Sequence, residues 1–488
     1  MNRGEVPGYE FEVPRGPRHG YGPRHVAGHD YTLPQRTHPP QQEFRYPPQP
    51  APAPPSPARH AGSGVLAVMR NRNWLLGLAA PILAAVAVGI AVVVVAGGGG
   101  GNGVAPSALA AGFPPARLAG AAFTGTGAKT RVILDAIGAS AGTEVAAGAA
   151  NGGPALWVSA DGGSDWTRAA LGGPASLHSA GTGELAGVAH GRAGWVAVGT
   201  TLTTAGGPLV VSSPDARTWT ATGGIAGLPA GSAVAAAVAA GPAGYVIVGH
   251  QSATRNGAGV AAAWYAHGLS GWRGAAVTGA PGTGPGQRGQ AMNAVTATVS
   301  GFAAVGSAGT SAAAWLSADG RSWRPVSLPE PAGAARAGLE YVAANGASLV
   351  AAGTEFTASG AGSPFAEVSA DAGATWTAVQ LPVPAAGQGT GTTVTALTAA
   401  AGGFTATGTY VTHAGSDVVV WTLPPGTPVT AGTGWTAAAP QGRGLASANG
   451  QNAITALTAD GATLTGVGFT VGPPAASGPT LWQSPIRY

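Results

Sequence analysis

Seven short apolar stretches of this chain end on glycine, and 47 to 60 residues separate each from the next. They are VAAG ending at Gly148, VAVG at Gly199, VIVG at Gly249, AAVG at Gly306, VAAG at Gly353, TATG at Gly408 and TGVG at Gly468. Tryptophan follows in two columns: Trp157, Trp264, Trp315, Trp421 and Trp482, then Trp166, Trp219, Trp272, Trp323, Trp376 and Trp435. A repeat of this length holding several strand-sized segments predicts an all-β domain, a β-propeller of seven four-stranded antiparallel blades over residues 112–488.

The fourth repeat shows the internal plan. NAVTATVS (293–300) alternates small or β-branched residues and predicts an inner strand. Gly301 turns into FAAVG (302–306), and AAAWLS (312–317) follows as a third strand. Residues 318–322 form a tight turn, and Trp323 opens a fourth strand, WRPVSL. The last repeat stops short: AITALTA, TLTGVGF and TLWQS supply three strands, with no fourth and no second tryptophan. An open ring exposes sheet edges. The missing strand is therefore expected from residues near 113–123, where FPPARL is similar to WRPVSL and Phe113 takes the tryptophan's place.

The turn between third and fourth strands carries the most specific motif. Ser159 to Trp166 and Ser369 to Trp376 fit S-x-D-x-G-x-x-W, and Ser213 to Trp219 and Ser317 to Trp323 are one residue shorter. The pattern resembles the Asp-box, or BNR, repeat of sialidases and related propellers. The resemblance implies that Asp161, Trp166, Asp215, Trp219, Asp319, Trp323, Asp371 and Trp376 are structural, on the face opposite the binding face. Their chemistry agrees, since such a carboxylate can accept N–H groups of its own turn while glycine supplies φ > 0. The third repeat has Ala266-His267-Gly268 there, and the sixth an insertion, LPPGTPVTAGTG. Sialidases also carry an arginine triad, a tyrosine–glutamate pair and an acid/base aspartate. This chain has no Arg-Ile-Pro triplet, and Arg131-Val132-Ile133 is a faint echo of it.

The segment WLLGLAAPILAAVAVGIAVVVVA (74–96) has no charge and is long enough as a helix to span a ~30 Å hydrocarbon core. A cleaved signal peptide is the rival, but its leader would be 73 residues long and its apolar run unusually extended. Arg70 and Arg72 precede the segment, so the N-terminus is expected in the cytoplasm and the propeller outside, on a single-pass plasma-membrane protein. Residues 1–73 hold nine arginines against five acids, whereas the remainder is neutral. The tail is rich in proline and arginine and is expected to be disordered; 97–111 is a Gly-rich linker. PPQQEFRYPPQPAPAPPSPA (39–58) suits either a proline-recognising domain or a solvated tail beside the anionic leaflet. No basic face points to nucleic acid. There is no cysteine, which excludes thiol chemistry and thiolate metal sites.

The remaining chemistry is sparse. Acids outside the boxes fall about one per repeat, among them Asp135, Glu184, Glu340, Glu355, Asp417 and Asp460, whereas glycoside hydrolysis needs a pair in one cleft. Isolated histidines offer no metal spacing, and no glycine-rich phosphate loop occurs; neither cofactor nor metal is expected. The face opposite the boxes is expected to carry the longer loops, 250–259, 279–290, 354–364 and 409–417. Its candidate binding residues are His250, Arg255, Arg288, Glu340, Glu355, Phe356, Tyr410 and His413. These features predict a binding or scaffolding module for an envelope glycan or protein and no enzyme. A degenerate sialidase-like glycosidase is the alternative, and a tail-dependent signalling or envelope-assembly role a further one. Oligomeric state is not readable.

Overall fold

The computed structural model describes Arg117–Leu118, Phe123 and residues 131–486, apart from 174–182, 202–206, 224–232, 253–258, 280–288, 386–390, 413–414, 443, 447–449 and 473–477. The tail, the apolar segment 74–96, the linker, Phe113, Arg255, Arg288 and His413 lie outside the described residues. Among those described, no helix is long and apolar enough to cross a membrane.

Strands account for nearly all regular structure. The first unit is a four-stranded antiparallel meander of Val132–Ser140, Thr143–Ala150, Gly153–Ser159 and Thr167–Arg168. The same plan recurs from the inner strands Gly183–Gly191, Ala233–Gly241, Gln290–Thr298, Arg336–Asn345 and Thr392–Ala400. The last unit runs Gly450–Asp460, Thr463–Val471 and Gly478–Pro485. Each inner strand packs on that of the next unit, and Gly450–Asp460 packs back on Val132–Ser140. The units close into a ring, a β-propeller. The expected fourth strands all form; the sixth and last units also join through a parallel contact, Gly415↔Gly450 and Ser416↔Gln451.

The recurring glycines have a steric cause. Every inner strand carries a β-bulge, at Asp135 in the first unit and at Ala186, Ala236, Asn293, Glu340, Thr395 and Thr455 in the others. The bulge turns a carbonyl of the inner strand over the second strand. A Cβ on Gly148, Gly199, Gly249, Gly306, Gly353, Gly408 or Gly468 would collide with the carbonyl oxygen of Ile133, Glu184, Val234, Ala291, Gly338, Thr393 or Ala453 respectively. Glycine marks the strand that must pass beneath a bulge.

Both tryptophan columns belong to the seams between units. In the third-strand column, Trp157, Trp315 and Trp421 are fully buried, and their indole N–H groups donate to Phe123 O (2.9 Å), Thr278 O (3.2 Å) and Pro382 O (2.6 Å). Each acceptor lies where the chain leaves one outer strand and enters the next unit. In the second column, Trp166, Trp219, Trp323 and Trp376 close their own turns on Gly163 O, Ala216 O, Gly320 O and Gly373 O. The aspartates before them accept N–H groups of their own turns: Asp161 Oδ1 accepts Ser164 N at 3.0 Å and Asp165 N at 2.9 Å, and Asp371 Oδ1 accepts Thr375 N at 2.8 Å.

Ring closure follows the sequence expectation in part. Arg117–Leu118 pairs antiparallel with the last unit's third strand, Arg117↔Leu481 and Leu118↔Thr480. Phe123 lies 5.7 Å edge-on to Trp157 and 5.3 Å from Trp166, between ring centroids. The strand that completes the last unit thus comes from the start of the domain. Further bonds cross the same seam: Thr465 Oγ1 donates to Glu144 Oε1 at 2.7 Å, Gly142 N to Asp460 Oδ2 at 2.6 Å and Thr455 Oγ1 to Leu134 O at 2.6 Å.

Candidate functional site

The box turns lie beside the hairpins that join inner and second strands. Gly162 N donates to Gly142 O at 2.9 Å and Ala372 N to Ala347 O at 2.8 Å. The far ends of the second strands therefore sit on the opposite face. His250, Glu355, Phe356 and Tyr410 all lie there, within Gly244–Gln251, Ser348–Phe356 and Gly403–Thr412. The sequence reading placed them in loops. Here they are ladder residues instead, because these strands continue past their glycines.

Three local groups result. In the third unit, His250 is 8% exposed, and burial pushes its pKa down, which keeps the imidazole neutral. In the fifth unit, the Arg336 guanidinium stacks 5.3 Å from the Phe356 ring centroid, and Gln380 Nε2 donates to Glu355 Oε1 at 2.8 Å. Neither Arg336 nor Gln380 was singled out from the sequence; the ladder pairing Arg336↔Phe356 brings the cation over the ring.

The third group spans the sixth and last units. Tyr410 faces Asp417 across the ladder and is 2% exposed. Burial first, and the Asp417 charge second, push its phenol up to about 12. Asn452 Nδ2 donates to Asp417 Oδ1 and to Ser416 O, both at 3.4 Å, while Asn452 Oδ1 accepts from Thr470 Oγ1 at 2.7 Å. Asn452 and Thr470 give no sequence signal, since their roles depend on the close approach of two units.

Glu340 is not a loop residue. It is the bulged residue of Arg336–Asn345, with its carboxylate over Gly338 and Gly353. Other residues at this bulge position latch one unit to the next: Asn293 Nδ2 donates to Leu339 O at 3.0 Å and Thr395 Oγ1 to Ile454 O at 2.6 Å. Asp135 occupies the same position in the first unit. The carboxylates Asp135 and Glu340 thus sit at a wall position of the ring. Among the described residues, no three histidine, aspartate or glutamate side chains group as metal ligands.

The box aspartates carry depressed pKa values for a local reason. The Thr375 hydroxyl and backbone N–H hold Asp371 down to about 2, and the Asp165 N–H heads the causes that lower Asp161. The arrangement can present an aromatic–cation pair and hydrogen-bonding groups to a ligand.

No protein-family model matches the chain, and no curated protein does. Among solved structures, YCF48 bound to D1 peptide is 15% identical, with a TM-score of 0.42 over 74% of this chain and 94% of that one. The Hadza microbial sialidase Hz136 is 14% identical, with a TM-score of 0.39 over 62% and 65%. A fucose-specific lectin from Aleuria aurantia is 14% identical, with a TM-score of 0.37 over 64% and 96%. Such likenesses carry no functional argument, and the fold rests on the strand pairing above.

Proposed function

We propose that this chain is a single-pass plasma-membrane protein whose seven-bladed, Asp-box-type propeller is held outside the membrane as a binding or scaffolding module. The ligand is an envelope glycan or protein, met by the face opposite the boxes. The observation that supports the non-enzymatic reading is that Tyr410 is 2% exposed, which keeps its phenol from a substrate. The acids that the glycosidase alternative would use are also placed unfavourably, with Glu340 at a bulge and Glu355 bonded to Gln380. The topology is carried by the apolar segment 74–96 and the arginines before it.

A screen of glycans and peptidoglycan fragments against the protein, beside a panel of fluorogenic glycosides, tests the reading. Saturable binding without turnover is expected. Turnover that is abolished by Glu340→Gln or Glu355→Gln would reverse it in favour of a glycosidase.

A further inference from the structure

The direction of the closing strand decides from which side the chain enters the ring. The third strand of the last unit, Gly478–Pro485, starts opposite Thr470 and ends opposite Thr463, and Ile486 N donates to Ala462 O at 2.8 Å. It therefore ends beside the hairpin that follows Asp460, on the box face. Arg117–Leu118 pairs with it antiparallel and so runs away from that face; the chain before Arg117 arrives from the box side. Residues 97–116 separate the apolar segment from Arg117 and reach at most about 70 Å when fully extended. To bring the opposite face to a membrane they would have to climb the rim of the ring, about 27 Å for the eight residues of Gly478–Pro485. With the box face towards the membrane none of that length is used.

We propose that the box face is turned to the membrane, and that its sector on the second, third and fourth units rests on anionic phospholipid headgroups. The proposal rests on the membrane anchor proposed above. Arg192, Arg217, Arg273, Arg321 and Arg324 are all exposed in that sector, on a hairpin, in box turns or at the start of fourth strands. The two aspartates of the same turns accept N–H groups of their own backbone: Asp215 Oδ1 from Arg217 N and Asp319 Oδ1 from Arg321 N, both at 2.9 Å. Val299, at the tip of the fourth unit's hairpin, is 70% exposed. Arginines and an exposed aliphatic tip in one sector suit the boundary between lipid phosphates and acyl chains. The acids Asp161, Asp371 and Asp460 of this face belong to the first, fifth and last units. The basic sector thus lies across the ring from the closure seam where the chain enters. A tether on one side and a charged contact on the other hold the face to the surface, and leave the Arg336–Phe356 pair on the outward face.

The chain has no cysteine, so Val299→Cys and Val260→Cys each create a single labelling site. Both side chains are exposed, Val299 on the box face and Val260 at the opposite end of its strand Val260–Ala266. The full chain, labelled with a fluorophore at one site, is reconstituted in vesicles of phosphatidylcholine with or without about a third phosphatidylglycerol, and quenching by lipids spin-labelled at the headgroup is read. Quenching at 299 is expected to exceed that at 260 severalfold in the anionic vesicles. It should weaken about twofold when phosphatidylglycerol is omitted, or when Arg273→Gln and Arg321→Gln are combined. Equal quenching at the two sites, stronger quenching at 260, or quenching at 299 that ignores both the anionic lipid and the arginine changes overturns the proposal. Release of the chain from the vesicles by alkaline carbonate refutes the anchor itself, and the proposal with it; a chain that is retained but quenched in the wrong pattern refutes only the orientation.

Discussion

Glu367 stands where the third strand of other repeats carries tryptophan: Glu367-Val368-Ser369-Ala370-Asp371 aligns with Trp157-Val158-Ser159-Ala160-Asp161. Its side chain is 0% exposed, between ladder partners Ala351 and Ala378, and neither carboxylate oxygen has a hydrogen-bond partner among the described residues. An indole N–H at this position can reach a neighbouring carbonyl; an ionised carboxylate cannot. Burial pushes the pKa to about 8 from an ordinary 4.5, so the folded protein holds a proton that the unfolded chain has already released near neutrality. The sign follows from linkage. Below pH 4.5 both states are protonated and the fold bears no penalty from this group. Between 4.5 and about 8 stability falls by about 1.4 kcal/mol per pH unit, then levels off once the folded state also ionises. The full swing is on the order of 5 kcal/mol, several degrees in Tm. Thermal melts of wild type and Glu367→Gln from pH 5 to 9 should diverge. The wild type loses stability as pH rises, and the amide variant loses much less. Glu144 is also pushed up by burial, despite the Thr465 hydrogen bond, so the wild-type slope contains a second contribution of the same sign. The difference between the two proteins isolates Glu367. Parallel melts across the range would refute the assignment.

Three further outcomes are expected. Trp315→Ala removes a fully buried indole and its bond to Thr278 O, and should cost about 3–5 kcal/mol by chemical denaturation. Gly306→Ala places a methyl group against Ala291 O and should destabilise by about 1–3 kcal/mol, whereas Gly309→Ala at an open turn should cost only the strain of its positive φ. Deleting 112–124 strips the last unit of its outer strand Arg117–Leu118 and the seam of Phe123, and should lower the melting temperature sharply; an unchanged melt would sink the closure argument.

The repeat was legible because every copy must solve the same two packing problems. A bulged inner strand demands glycine opposite its raised carbonyl, and a large ring fills the third-strand position in most repeats. These demands recur in sequence as the glycine spacing and the tryptophan columns. The gaps in those columns carry information too. The short final repeat pointed to a strand from residues near 113–123, and Arg117–Leu118 supplies it. Phe113, named for the tryptophan's place, lies outside the described residues, while Phe123 packs on Trp157. The third-strand column is also interrupted in the second repeat, at Val211, and in the fifth, at Glu367.

The candidate binding residues were less legible. The sequence places His250, Glu355, Phe356 and Tyr410 in loops opposite the box turns, whereas they are strand residues at that end of their units. It cannot say that Arg336 lies over Phe356 or that Asn452 reaches Asp417. Local sequence determines strands, turns and bulges, because those depend on the chirality and sterics of neighbouring residues. Which side chains meet across a seam, and which carboxyl is left among apolar groups, is decided when distant segments close into a ring and exclude water between them.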